Sequence, residues 1–226
     1  MSNSNYYAFV DQDDVWYLEK LKIACKKLIE YPENVPNLFC SNSDIIDSNG
    51  IRTGKKFREY IPKYTRGNVL MYPLLQGCSM VFNRKALELY KKNLPRITYH
   101  DRWMYLICHF LGNVVYDPNP LFGYRVHDRN ALGPKKEYDF FTQSKRLWNM
   151  LFTVQESEYF KMNEEFYVAF FEKLQERDMI LIKKYLSYKS NLYNKMYVLY
   201  SKFFGSPIPT VREKLLYIPH VLLNKV

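Results

Sequence analysis

No stretch of this 226-residue chain reaches the roughly 18 uninterrupted apolar residues that a membrane-crossing helix needs. The first residues, Met-Ser-Asn-Ser-Asn, are polar, with no basic segment leading into an apolar one, so they do not read as a secretory signal. Cysteine is scarce. Cys25, Cys40, Cys78 and Cys108 include no Cys-x-x-Cys pair, which argues against a zinc site or a disulfide framework and for reduced thiols in a cytosolic protein. There is no internal repeat and no low-complexity tract, which excludes solenoid and fibrous architectures.

The remaining composition is that of a globular domain, with 47% hydrophobic and 25% charged residues. Aromatic residues are abundant, with 21 Tyr and 15 Phe. The formal charge is +10, which suits acidic partners such as nucleotide phosphates or an anionic membrane surface. Most of it sits at the C-terminal end. From Met179 onward, Lys183, Lys184, Lys189, Lys195, Lys202, Arg212, Lys214 and Lys225 face a single acid, Glu213. A basic, Tyr-rich helical tail reads either as a membrane-surface face or as a solvated one. The chain has no nucleic-acid motif and no basic stripe near its strands, so no nucleic-acid partner is expected.

Strand and helix signals alternate up to Gly133-Pro134, the clearest boundary, and are helical after it. Tyr6–Val10 predicts a buried strand, and Tyr17–Glu30 a helix with its apolar stripe on Leu18, Leu21, Cys25, Leu28 and Ile29. Further strands are predicted at 38–40, 78–82, 114–116 and 121–124, with a turn at Asn49-Gly50 and a basic surface loop over 52–66. Helices are predicted over 84–92, 99–111, 137–154, 158–182, 183–204 and 210–223. The pattern predicts an α/β domain over 1–133 and a helical region over 134–226.

Four groups carry chemistry. Asp11, Asp13 and Asp14 crowd three carboxylates at a strand end. Such crowding is relieved by a divalent cation such as Mg²⁺ or Mn²⁺, or arises where Asp14 caps the following helix. His100-Asp101 opens a helix, where the carboxylate is either a cap or a general base. In Tyr124-Arg125-Val126-His127, alternation puts Arg125 and His127 on one face, suited to a diphosphate and its metal or to solvent. Gly77 precedes a strand where a ligand can approach the backbone closely, and Cys78 reads as a small packing residue.

In this order, these groups resemble family 2 glycosyltransferases of the GT-A type, and rhamnosyltransferase-like enzymes of bacterial surface polysaccharide synthesis in particular. The resemblance is carried by Ala8-Phe9-Val10-Asp11-Gln12-Asp13-Asp14-Val15-Trp16 with Glu19-Lys20-Leu21, and by Cys40 to Asp47. Gln76 to Arg84, His100-Asp101-Arg102-Trp103 and Pro120 to His127 complete it, within roughly residues 5 to 133. It implies a partial GT-A, Rossmann-like sheet followed by a helical extension. It implies that Asp11, Asp13, Asp14 and Arg125 serve the dTDP- or UDP-sugar donor, with Asp13 as direct metal ligand and His127 completing the shell of a Mg²⁺ or Mn²⁺ ion. Asp101 would be the catalytic base, taking a proton from a hydroxyl of a glycan or lipid-linked acceptor, with inversion at the sugar. Gly77, Cys78, His100 and Trp103 would shape the acceptor and sugar pocket. The enzyme would be cytoplasmic, at the inner face of the membrane.

The chain departs from that family at its start. Members open with a strand of the type V-S-I-I-x-x-Y-N and two βα units before the acidic strand, and these hold the nucleoside. Here the acidic strand comes almost at Met1. The expectation is a downstream piece of a split enzyme, a subunit whose partner chain supplies the nucleotide site, or a non-catalytic remnant acting as an interaction protein.

Overall fold

In a computed structural model, the residues described are 4–72, 75–96, 99–126, 158–202, 204, 221–222 and 224. The helices predicted over 137–154 and for nearly all of 210–223 lie outside them, as does His127. The chain divides into two compact units. One is Met1–Ile61 with Pro73–Leu132, and the other is Pro62–Tyr72 with Gly133–Val226.

The first unit is a mixed α/β structure around a six-stranded sheet. Its elements in chain order are β1 (Tyr6–Ala8), β2 (Val15–Trp16), α1 (Lys20–Leu28), β3 (Asn37–Ile46), β4 (Arg52–Lys56), β5 (Val81–Asn83), α3 (Arg84–Lys92), α4 (His100–Leu111) and β6 (Asn113–Arg125). Strand order is β1-β5-β3-β6-β2, and β4 pairs with β3 outside that path. Only β3 and β6 run parallel; every other pair is antiparallel.

The two short strands predicted at 114–116 and 121–124 are one strand. The ladder with β3 runs from Asn37↔Asn113 to Ile46↔Arg125 and absorbs Pro118 and Pro120 by shifting register near Ser41 and Asn42. The predicted loop over 52–66 begins as a strand, because a turn at Asp47–Ile51 folds β4 back on β3. The Asp47 carboxylate accepts from the amides of Asn49 (2.9 Å) and Ile51 (2.8 Å) and fixes that turn. The strand predicted over 78–82 is a single 3-10 turn, Gly77–Ser79, leading into β5.

Alternation along β1 and β5 sorts the core. Tyr6, Ala8, Phe39 and Val81 meet Ala24 and Leu28 of α1 on one face. On the opposite face Phe9 packs on Phe82 (5.0 Å between ring centroids), Tyr90 of α3 (6.2 Å) and His100 of α4 (4.7 Å). The predicted stripe of α1 is largely turned out. Leu18 is fully exposed and Ile29 is 70% exposed, whereas Lys20, Ala24 and Leu28 are buried. Against expectation β1 is half-buried, because among the described residues it stands at the end of the strand order.

The second unit is helical: α2 (Asn68–Met71), α5 (Glu158–Phe170), α6 (Glu176–Leu186) and α7 (Leu192–Tyr200). The predicted 158–182 helix breaks at a 3-10 turn, Phe171–Lys173. Asn163 of α5 donates to the Leu70 carbonyl (2.7 Å), and Arg66 pairs with buried Asp178 of α6 (3.4 Å). Aromatic residues fill this core, with Tyr185 stacked against Tyr188 at 5.6 Å and Phe204 at 6.0 Å. No helix among the described residues is long and apolar enough to cross a membrane.

Candidate functional site

The acidic loop is placed by the strands at its two ends. β1 lies at one end of the strand order and β2 at the other, so the chain carries residues 9–14 from one border of the sheet to the other. A turn closes between the Asp14 amide and the Asp11 carbonyl, and Tyr17 then donates to Leu121 on β6 (3.1 Å). Arg125, near the end of β6, locks this path. Its amide donates to Asp14 Oδ1 (3.1 Å) and its Nε to the Asp13 carbonyl (2.8 Å). Its terminal nitrogen reaches the carbonyls of Asp47 (3.2 Å) and Ser48 (2.6 Å). The guanidinium expected at a diphosphate is thus a clamp between the acidic loop and the β3–β4 turn. Asp14 does not cap a helix, since α1 begins at Lys20 after Glu19.

Ligand atoms of Asp11, Asp14 and Cys78 lie within 4.8 Å of one another. Asp13, expected as the direct metal ligand, is not in this set. Cys78 arrives on the 3-10 turn, whose backbone closes by Ser79 N–H to the Gln76 carbonyl (3.0 Å) and Met80 N–H to the Gly77 carbonyl (2.9 Å). The same turn abuts the start of α4. A Cβ placed on Gly77 would stand 3.1 Å from Asp101 Cβ and 3.3 Å from His100 Nε2. His100 is held from its other side by the Phe9 ring. Asp101 accepts from the amide of Arg102 (2.7 Å) and sits in the first turn of α4, where the helix dipole favours an anion.

Five expected positions, Asp11, Asp14, Cys78, His100 and Asp101, are therefore joined through one turn and one loop, with Gly77 as the contact point. Trp103 is placed differently. It is buried, and its indole N–H donates to the Asn93 carbonyl beyond α3 (2.6 Å). A cleft of about 150 Å³ lined by Tyr6, Leu28, Tyr31, Asn37, Asn83 and Arg84 lies by the start of β1, whereas the acids follow its end, so it belongs to no part of this cluster.

Burial dominates the electrostatics. It raises the Asp14 carboxyl above the ordinary carboxylate range, partly offset by the Cys78 thiol and the Arg125 amide. It pushes the Cys78 thiol far up, and the neighbouring Asp14 and Asp11 charges push it further. Cys78 is therefore a protonated packing thiol rather than a nucleophile. Lys20, entirely buried, is lowered to about 8 by the same desolvation. Lysine on a predicted surface helix gives no signal of such a position, and sequence reasoning missed it.

A divalent cation fits the oxygen donors here. Asp14 Oδ2 is buried with the Cys78 thiol as its neighbour, and Asp11 is exposed beside it. The protonated thiol is a neighbour of such an ion rather than a ligand for Mg²⁺ or Mn²⁺.

The Gly77 contact gives a direct expectation. Gly77→Ala should push Asp101 by a few tenths of an ångström and cost about 1 kcal/mol of stability. Melting curves check it, and an unchanged melting temperature would mean that the turn yields freely at this contact.

No family model matches the chain. A stretch of 141 residues, 59% of the chain, is 27% identical to the dTDP-rhamnosyl transferase RfbG of Shigella flexneri and spans 47% of that protein. The match thus covers about half the relative's length.

Proposed function

We propose that this chain is a glycosyltransferase and, more finely, the acceptor-side catalytic part of an inverting, metal-dependent GT-A enzyme of family 2. The donor would be a dTDP- or UDP-sugar, and the acceptor a hydroxyl of a glycan or lipid-linked oligosaccharide in bacterial surface polysaccharide synthesis. One observation carries the reading: a carboxylate at a helix N-terminus, Asp101, is packed through Gly77 onto the turn that also meets Asp11 and Asp14. The likeness to a dTDP-rhamnosyl transferase supports the same reading.

In this reading Asp101 accepts the proton of the attacking hydroxyl, and His100, steadied by Phe9, orients that hydroxyl beside it. Asp11, Asp13 and Asp14 would hold a Mg²⁺ or Mn²⁺ ion at the diphosphate end of the donor, with His127 as a further ligand. When bound, the ion supplies Lewis-acid stabilisation of the departing diphosphate. Arg125 serves the donor indirectly, by fixing the loop that carries the acids. The nucleoside would be held by further βα units, from this polypeptide or a partner chain, placed beside the acidic loop. The basic C-terminal region would rest on an anionic membrane surface.

A second reading is favoured by the surface near β1. Leu18, Leu21 and Ile29 are exposed in and around α1, beside the strand at the border of the described sheet, as on a non-catalytic interaction subunit. Calorimetric titration with Mn²⁺ and a panel of nucleoside diphosphates separates the two. The expected result is metal-dependent binding that Asp11→Ala combined with Asp13→Ala abolishes. Absence of binding by the chain both alone and joined to a nucleoside-binding segment would leave the interaction reading.

A further inference from the structure

Lys20 is the least expected residue of the first unit. It is the first residue of α1 and is 0% exposed. Lysine is almost never buried to that degree without a carboxylate partner. Here, among the described residues, it makes no ion pair. Its ammonium lies over the Trp16 ring, 3.6 Å from the centroid, and 5.0 Å from that of Phe122. Its hydrogen bond goes to the carbonyl of Cys78. Desolvation opposes this placement, as does the helix dipole, which disfavours a cation in a first turn. A methionine of similar volume would fill the space without either cost.

The carbonyl it holds decides what this arrangement does. Cys78 is the middle residue of the turn whose first residue, Gly77, abuts Asp101 and His100, and whose thiol meets Asp14. One further tie reaches the sheet, where Ser43 Oγ on β3 donates to Gln76 Oε1 (3.0 Å), and Ser79 Oγ closes the turn on itself by donating to the Gln76 carbonyl (2.6 Å). Lys20 is the tie from the α1 side. The aromatic faces of Trp16 and Phe122 hold the ammonium by cation–π attraction without neutralising it. Its charge thus remains available both to the carbonyl and, through space, to Asp14 and Asp11.

We infer that Lys20 is a positioning residue, whose buried ammonium, boxed by Trp16 and Phe122, pins the Gly77–Ser79 turn so that the acidic cluster and Asp101 keep a fixed separation. The inference rests on the reading of Asp101 as the base, and its test has an arm that needs no activity. Lys20→Met removes the tie while keeping the volume. Cysteine labelling by N-ethylmaleimide in the full chain, resolved by mass spectrometry, reports the turn through Cys78 and the rest of the core through buried Cys108 on α4; Cys40, whose thiol meets Ser79 of the turn, is left out of the comparison.

The expected result is Cys78 labelling faster by about tenfold or more, with Cys108 unchanged, as for a local rather than global opening. The melting temperature should hold or rise. Transfer from a dTDP-sugar donor should fall about 100-fold in kcat with the donor KM little changed. Unchanged Cys78 labelling overturns the inference, and so does a matching rise at Cys108, which would mark Lys20 as a general stability residue. Normal turnover in Lys20→Met with a mobile turn overturns it too. Should Lys20→Met not accumulate as folded protein, Trp16→Leu opens the same box and should give the same selective rise at Cys78. If the wild-type chain transfers no sugar, the proposed function fails, while the labelling arm still decides whether Lys20 pins the turn.

Discussion

Asp101→Asn should lower sugar transfer by about 10²- to 10⁴-fold, the range for loss of a general base, with fold and melting temperature preserved. Asparagine has the same shape and keeps an oxygen where Asp101 accepts from the Arg102 amide. It also leaves the contact with Gly77 unaltered, because that contact is made by Cβ and Cγ. What it loses is the ability to take a proton. The loss should therefore appear in kcat and kcat/KM alike, with little change in donor binding. Steady-state transfer from a dTDP-sugar, with circular dichroism as the control for folding, is the measurement. Turnover within a factor of about ten of wild type would remove Asp101 from the base's role and return it to that of a helix-terminal anion.

The largest effect on stability is expected at Gly112. A Cβ there would stand 1.8 Å from the carbonyl oxygen of Pro36 and 2.9 Å from its Cγ. Backbone cannot swing aside as a side-chain tip can. The same carbonyl accepts from the Asn113 amide (3.0 Å), which starts the β3–β6 ladder. Just beyond it, Asn113 Nδ2 donates to Asn37 Oδ1 (2.9 Å), and the Asn37 amide donates to Asn83 Oδ1 (3.0 Å). Gly112→Ala therefore pries apart the start of the only parallel pair and of the asparagine ladder beside it. About 3–5 kcal/mol should be lost, enough to lower the melting temperature by roughly 10 °C or to prevent folding. Thermal and urea denaturation measure it. A loss below about 1 kcal/mol would mean that the Pro36 loop yields easily.

The two sites differ in what signalled them. At Asp101 the sequence supplied residue type and local context: an acid opening an amphipathic helix, near a second group of acids in chain order. At Gly112 the sequence supplied only a helix stop. The closeness of Pro36 comes from sheet pairing at a sequence separation of 76, which no local pattern encodes.

The sequence by itself determined the punctuation of this protein and the chemistry of its polar groups. The helix from His100 to Leu111, the turn after Asp47, the crowding of Asp11, Asp13 and Asp14, and a packing role for Cys78 follow from propensity, capping and charge repulsion between near neighbours. Tertiary structure alone decided which face of α1 is buried. Hydrophobic periodicity pointed to Leu18, Leu21, Cys25, Leu28 and Ile29, but of these only Leu28 is fully buried, and it closes the space against the sheet together with Ala24 and a lysine held over two rings. It also decided that Val114–Tyr116 and Leu121–Tyr124 are one strand, since a long partner ladder outweighs two prolines. And it decided that Arg125 clamps backbone carbonyls, because a guanidinium's partners are set by what the fold brings within about 3 Å of it, and sequence order does not carry that distance.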